Sequence, residues 1–387
     1  MRIAIVAESF LPHMNGVTHS LLKVLSHLRG RGDDVLVIAP SSSWPVDEAP
    51  TTVEGFPVHP LPSVPLSGYA NVRLAAGTVA RVRRILQDFG PDVVHIASPF
   101  VLGWRAVQAC EQLGLPSVSV YQTEVPAYAA RYGFPWLEGL LWQRVENIHD
   151  ASTLTLVPSS FALGQLRDHG VQRLNLWRRG VDTERFSPGR YDAAWRATVA
   201  APHERIIGFV GRLAAEKQVE DLAVLDSMPG TRLVIIGSGP LEESLRARLP
   251  RAHFAGFRSG TELARMVATF DLFVHPGESE TFCQTIQEAM ASGVPVVAVG
   301  RGGPLDLVDA SRTGWIYRPG DLAGLRSSVA DLIGDDAKRR AFGRAAHASV
   351  QGRTWPVLCE QLVGYYEKAV AVQARRAGAA HRVRRTQ

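Results

Sequence analysis

The sequence predicts an α/β protein made of two doubly wound domains. Three observations carry that prediction: short apolar runs bounded by turn residues, helical patterns between them, and a restart of the alternation near the middle of the chain. The 387 residues suit two or three domains of roughly 100–200 residues each. With 46% apolar and 20% charged residues, the chain can bury sizeable cores and is not disordered. No repeat of solenoid length occurs.

In the first half, RIAIVA (2–7) predicts a strand, followed by a loop and a helix from Val17 to Leu28. Then come a strand at Val35–Ala39, a Pro/Ser-rich loop, a helix near 72–89 and a strand at Asp92–Ile96. Val118–Tyr121 and Thr153–Val157 are two more buried strands. The segment RRGVDTERFSPG (178–189) is rich in turn formers, and beyond it the pattern begins again. Strands at Ile206–Val210, Leu233–Ile236, Leu272–Val274 and Val294–Val299 alternate with helices at 219–227, 241–248, 261–269 and 284–291. These spacings predict an amino-terminal domain over 1–185 and a second over 200–354. A helix over 355–373, carrying Trp355, Leu358, Leu362, Tyr365 and Tyr366, is expected to return to the first domain. Two such domains facing one another place the carboxyl ends of their strands across a cleft, where ligands bind.

Charge and cysteine usage narrow the function classes. No apolar run reaches the roughly 18 residues of a membrane span, and Glu8 interrupts the stretch a signal peptide needs. Cys110, Cys283 and Cys359 are odd in number and lack any C-x-x-C. That pattern fits a reducing, cytoplasmic setting without a disulfide framework or zinc site. The net charge of +5 sits in the tail 374–387, through Arg375, Arg376, Arg382, Arg384 and Arg385. Without those five the chain holds 37 basic and 37 acidic residues. A basic tail can meet anionic lipid at the inner face of a membrane, or remain solvated. A neutral body with no recognised module argues against a nucleic-acid partner.

The stretch VGRLAAEK (210–217) ends a strand, turns at a glycine and presents Arg212 and Lys217. A planar guanidinium fork and a compact ammonium together suit a diphosphate, at a loop whose free amides also favour anions. The alternative is a solvated basic pair at a helix start. Within VHPGESETFCQTIQEAMASG (274–293), seven residues separate Glu280, in a loop, from Glu288, on the second turn of a helix beginning near Gln284. Such carboxylates can accept hydrogen bonds from sugar and ribose hydroxyls. The amides of Phe282, Cys283 and Gln284 can receive a phosphate. The alternative has Glu280 capping the helix and Glu288 at the surface. Gly302-Gly303-Pro304 predicts another tight loop at the same edge. A dinucleotide-dependent dehydrogenase fits poorly, because Gly237-Ser238-Gly239-Pro240 stops short of G-x-G-x-x-G.

E-x7-E preceded by G-R-x4-K resembles the retaining glycosyltransferases of family 4, with their two Rossmann-like domains in the B-type (GT-B) fold. The likeness spans essentially the whole chain, including PHMNGVTHS and TWPVLCEQLVGYYEKA. GFPVHPLPSVPL (55–66), PDVVHIASPFVLG (91–103), ETFCQTIQEAMASGVPVVA (280–298) and GGPLDLV (302–308) look most like GDP-mannose-dependent α-mannosyltransferases acting on membrane glycolipids. The resemblance implies that Arg212 and Lys217 bind the donor diphosphate, Glu288 the ribose and Glu280 the transferred sugar. It places the backbone of Phe257 beside the nucleotide base, and Gly16 where the first-domain backbone approaches the phosphates.

Many relatives carry Y-H-T where this chain reads Tyr121-Gln122-Thr123-Glu124. Gln122 cannot titrate but still donates and accepts hydrogen bonds, and Glu124 either orients the acceptor or caps a turn. The leaving phosphate is expected to take the acceptor's proton, so no enzymic nucleophile is required. No D-x-D occurs, and no metal or other cofactor is expected; side-chain cations replace the divalent ion. UDP-glucose with a soluble acceptor is the alternative donor pairing. Two segments hint at a lipid-bearing acceptor. In 72–89, Val82, Ile85, Leu86 and Phe89 share a face flanked by Arg81, Arg83 and Arg84, suited to a membrane surface or to ordinary packing. In RYGFPWLEGLLWQRV (131–145), Tyr132, Phe134, Trp136 and Trp142 suit an apolar channel or core.

Overall fold

A computed structural model describes residues 1–41, 50–66, 69–75, 77–98, 100–122, 136 and 138–385. Glu124, Tyr132 and Phe134 therefore lie outside the described residues. The chain divides into two compact units, one holding the described residues up to Arg178 together with those from Trp355 onward, the other Arg179–Thr354. The break falls at Arg178 rather than 185, because the turn-rich segment that follows is tied into the second unit.

In the first unit the strands are β1 (Arg2–Val6), β2 (Asp34–Pro40), β3 (Thr52–Val53), β4 (Phe56–Leu61), β5 (Ser63–Leu66), β6 (Tyr69–Ala75), β7 (Val93–Ile96), β8 (Ser117–Val120), β9 (Leu154–Val157) and β10 (Leu174–Leu176). One sheet has the order β10-β9-β8-β7-β1-β2-β4-β3, parallel except where β3 meets β4. Strand alternation sorts its side chains to two covered faces. Ile3 and Ile5 pack with Leu21, Val24, Leu25 and Leu28 of the helix Gly16–Arg31. Ala4 and Val6 pack on the opposite face with Val82, Leu86, Leu102 and Ala106.

The helix expected over 72–89 spans only Val79–Phe89, and Tyr69–Ala75 pairs antiparallel with Ser63–Leu66. Thr78 sets the start by accepting a hydrogen bond from Arg81 N through its side chain. The membrane-surface reading of this helix is overturned. Val82, Ile85 and Leu86 are buried in the core, so its apolar face is already occupied, and Arg81, Arg83 and Arg84 face solvent.

The carboxyl-terminal helix runs from Trp355 to Arg385, well beyond the expected end at 373. Its Trp355, Leu358, Leu362 and Tyr366 complete the first unit's core beside Ile3 and Trp177. Trp177 Nε1 donates to Leu358 O at 2.7 Å, and the Tyr366 hydroxyl lies 2.7 Å from His95 Nδ1. Among the described residues, no helix is long and apolar enough to cross a membrane.

The second unit contains β11 (Arg205–Val210), β12 (Thr231–Ile236), β13 (His253–Gly256), β14 (Leu272–His275), β15 (Val296–Val299) and β16 (Gly314–Tyr317). They form one parallel sheet in the order β13-β12-β11-β14-β15-β16. The helix expected at 219–227 is a 3₁₀ turn, Val219–Leu222, followed by one short helix, Ala223–Asp226. The order of neighbours reverses between β11 and β14, where an open α/β sheet leaves a crevice beyond its strand ends. The loops leaving those two strands carry the candidate site.

Candidate active site

The loop after β11 is braced by its neighbours. Gly211 N donates to Ile236 O at 3.0 Å, and Leu213 N to Ser238 O at 3.0 Å. The contact is close enough that a Cβ on Gly237, at φ +144°, would stand 1.9 Å from Gly211 O. Gln218 then links this loop to the one after β14: its Oε1 accepts from Glu278 N at 2.9 Å and its Nε2 donates to Glu278 Oε1 at 3.2 Å. With the loops joined, Lys217 Nζ donates to Glu280 Oε1 in a partly buried ion pair.

Glu280 is the electrostatic centre. Burial would raise its pKa, but Lys217 and His275 reverse that effect and hold it at about 2. His275 Nε2 lies 3.2 Å from Glu280 Oε1 without hydrogen-bond alignment. Burial lowers the imidazole pKa, whereas Cys283 and Glu280 more than compensate and bring it to about 9. Arg179 is buried; desolvation brings its pKa down to about 10 against the pull of Glu280. The backbone is fixed as well, since Gly303 N donates to Glu280 O at 2.7 Å. Gly302, at φ +75°, would put a Cβ 2.4 Å from that same oxygen, so the paired glycines permit the approach.

The next helix runs Gln284–Ala291, with Cys283 as its N-cap at φ +73° and no side-chain cap bond. Its leading amides are the orphan donors of a helix start. Gln284 Nε2 donates to Gly180 O at 3.0 Å and Gln287 Nε2 to Arg179 O at 3.2 Å, which draws the linker against the helix. Glu288 is half-buried. Desolvation, reinforced by Asp182, raises its pKa to about 8 against Arg185 and a hydrogen bond with Gln284. It is therefore neither a solvated surface carboxylate nor part of the Lys217–Glu280 pair.

Other expected positions are more dispersed. Arg212 is exposed, with Nη1 4.0 Å from Glu216 Oε1. Phe257 is 65% exposed and its carbonyl accepts from Arg258 Nη1 at 3.1 Å. Phe282 is buried in the unit's core, leaving only its backbone for a ligand. Gly16 and Gln122 belong to the first unit. Gly16 opens a helix capped by Asn15, whose side chain accepts from Val17 N and Thr18 N. Gln122 is buried and donates through Nε2 to Ala97 O at 3.2 Å. Trp142 stacks on His169 with ring centres 3.8 Å apart, while Trp136 is 74% exposed.

Arg179 and His275 escaped the sequence reading. Arg179 stood among turn formers, and His275 is the last residue of an otherwise apolar strand. A strand-terminal histidine five residues before a loop carboxylate is the one available signal.

Family models match most of both units: "Glycosyltransferase Family 4" over residues 14–185 and "Glycosyl transferases group 1" over 193–349. A GDP-mannose-dependent alpha-mannosyltransferase of Mycobacterium tuberculosis is 44% identical, over 97% of this chain and 98% of that protein. The chain belongs to glycosyltransferase family 4. A second GDP-mannose-dependent alpha-mannosyltransferase, from Mycolicibacterium smegmatis, is 45% identical to this glycosyltransferase over 97% of its chain and 100% of that protein. The solved sucrose-phosphate synthase of Thermosynechococcus elongatus has a TM-score of 0.81 at 20% identity, covering 96% of this chain and 99% of the other. That likeness identifies the fold as GT-B. The glycosyltransferase is thus a hexosyltransferase enzyme.

Proposed function

We propose that this glycosyltransferase moves mannose from GDP-mannose to a hydroxyl of a membrane glycolipid, with retention of anomeric configuration. The observation that carries the reading is the Lys217–Glu280 pair at the switch point of the second sheet. The names of the 44–45% identical relatives favour mannose and guanosine diphosphate as the donor pair.

As the glycosidic bond breaks through an oxocarbenium-like state, negative charge grows on the leaving phosphate. Lys217, exposed Arg212 and the amides leading the helix Gln284–Ala291 stabilise it, at about 3 kcal/mol for a key group. Glu280, held ionised, accepts from hydroxyls of the transferred sugar and orients the Lys217 ammonium. Glu288, largely protonated at neutral pH, can donate to one ribose oxygen and accept from the other. The leaving phosphate receives the acceptor's proton, Gln122 contributes hydrogen bonds only, and no metal step is needed. Phe257 borders the base.

A thermal-shift panel of nucleotide sugars tests the donor, because a ligand specific to the native state raises apparent stability by mass action. GDP-mannose is expected to give the largest rise in Tm; a larger rise with UDP-glucose would replace the donor assignment. Contact with the inner membrane face is proposed through the basic end of the carboxyl-terminal helix, where Arg375 and Arg376 are exposed. Deleting 374–387 is expected to reduce sedimentation with anionic vesicles at low salt while leaving Tm unchanged. Equal sedimentation would remove that role.

A further inference from the structure

We propose that His275, Glu280 and Cys283 form a binding site for a thiophilic divalent cation of the zinc class. By taking Glu280 from Lys217, bound cation also switches the transferase off; that second part rests on the proposed roles of these two residues.

The ligand atoms of the three side chains lie within 4.8 Å of one another. In a tetrahedral zinc site with bonds of about 2.0–2.3 Å, ligand atoms stand roughly 3.3–3.7 Å apart. Closing the set takes about an ångström of side-chain movement, within reach of χ rotations in Glu280 and Cys283. One imidazole nitrogen, one carboxylate oxygen and one sulfur make a donor set for a borderline-soft cation. Magnesium and calcium, which prefer oxygen ligands, are disfavoured. Three protein ligands leave a fourth position for water.

A second observation points to the same place. His275 is 1% exposed, yet neither ring nitrogen has a hydrogen-bond partner among the described residues. The cost of burying that imidazole is met electrostatically by Cys283 and Glu280, the two groups that would ligate a cation beside it. Cys283 is 4% exposed; its sulfur lies 3.6 Å from Thr285 Oγ1 and also interacts with His275. The left-handed backbone at Cys283 turns the chain into the helix directly after Glu280's loop, bringing the thiol back toward the end of β14. The order H-x4-E-x2-C is not a spacing from which a zinc site is read.

Binding is balanced simply: the metal–sulfur bond forms as the thiol proton passes to solvent, and any proton on His275 follows. The ammonium of Lys217 and the incoming cation compete for one carboxylate. A cation-bound enzyme then lacks both the positioned ammonium and the free carboxylate that the donor requires.

The test titrates chelator-treated full-length protein with Co²⁺. One equivalent is expected to produce tetrahedral d–d absorption and a thiolate-to-cobalt charge-transfer band. The band is expected to vanish in Cys283→Gly, a change that the positive φ accommodates, and to persist in Cys110→Ala and Cys359→Ala. No band in the parent protein, or a band surviving Cys283→Gly, overturns the site. In Lys217→Ala, Zn²⁺ is expected to bind about tenfold more tightly once the rival cation is gone; unchanged or weaker binding overturns the competition. Zn²⁺ is expected to inhibit transfer by the parent enzyme reversibly, with chelator restoring it, and at least about tenfold less potently in Cys283→Gly. Equal inhibition of both overturns the switch. An error in the donor or acceptor assignment would leave the cobalt spectra unaltered, so the two failures are distinguishable.

Discussion

Replacing Lys217 by alanine is expected to lower kcat by about two to three orders of magnitude, as losing a preorganised donor to a developing oxyanion does elsewhere. The donor KM should move far less, because the ammonium acts chiefly when the bond to phosphate breaks. Lys217 is the residue to test because its position is determined from several sides. Gln218, the next residue, is bonded twice to Glu278, and Lys217 itself ends on Glu280. Arg212, exposed on the same loop, is expected to give a smaller loss. Lys217→Arg retains the charge and should recover part of the rate. Single-turnover kinetics with saturating donor check this, and an unchanged kcat in Lys217→Ala would remove the phosphate assignment. A melt of the variant is needed alongside, because the change also strips a cation from a buried carboxylate.

Glu288→Gln is expected to make the protein more stable in alkaline solution. The Glu288 carboxyl titrates near 8 in the folded chain and in the ordinary carboxylate range when unfolded. Between those values the native state holds a proton that the unfolded state has lost, so stability falls as pH rises through the window. Glutamine cannot ionise and escapes that decline. The variant should exceed its parent by about 5 kcal/mol above pH 8, with the gap closing toward pH 5. Melts across pH 5–9 measure it, and a gap independent of pH would show that Glu288 is ionised in the fold. Glutamine also keeps one donor and one acceptor, so its donor KM should stay near that of the parent, whereas Glu288→Ala should raise it strongly.

The doubly wound sheets were readable because their strands are apolar on both faces, as β1 and β11 are, and such runs bounded by turns admit few other folds. The β5–β6 pair was not, since its short strands lack a long apolar run and the following helical pattern absorbed them. Arg212, Lys217, Glu280 and Glu288 stood out by residue type and spacing. What spacing could not convey is which of them meet. Lys217 and Glu280 are 63 positions apart in sequence and are joined only because β11 and β14 are neighbours. Arg179, in the linker, acts electrostatically with the same carboxylate, and nothing local to either segment announces that. The half-buried, desolvated state of Glu288 is likewise a property of packing, invisible in an E-x7-E pattern.

The return of the last helix to the first unit bears on biosynthesis. Trp355, Leu358, Leu362, Tyr366 and Ala369 are integral to a core whose other members precede the second unit in the chain. On the ribosome, the first-synthesised unit therefore waits with part of one sheet face uncovered, beside the helix Gly16–Arg31, until the second unit has been made in full. A chain released at 354 would carry that apolar gap permanently, so quality control would see a truncated product as a fault in its first unit.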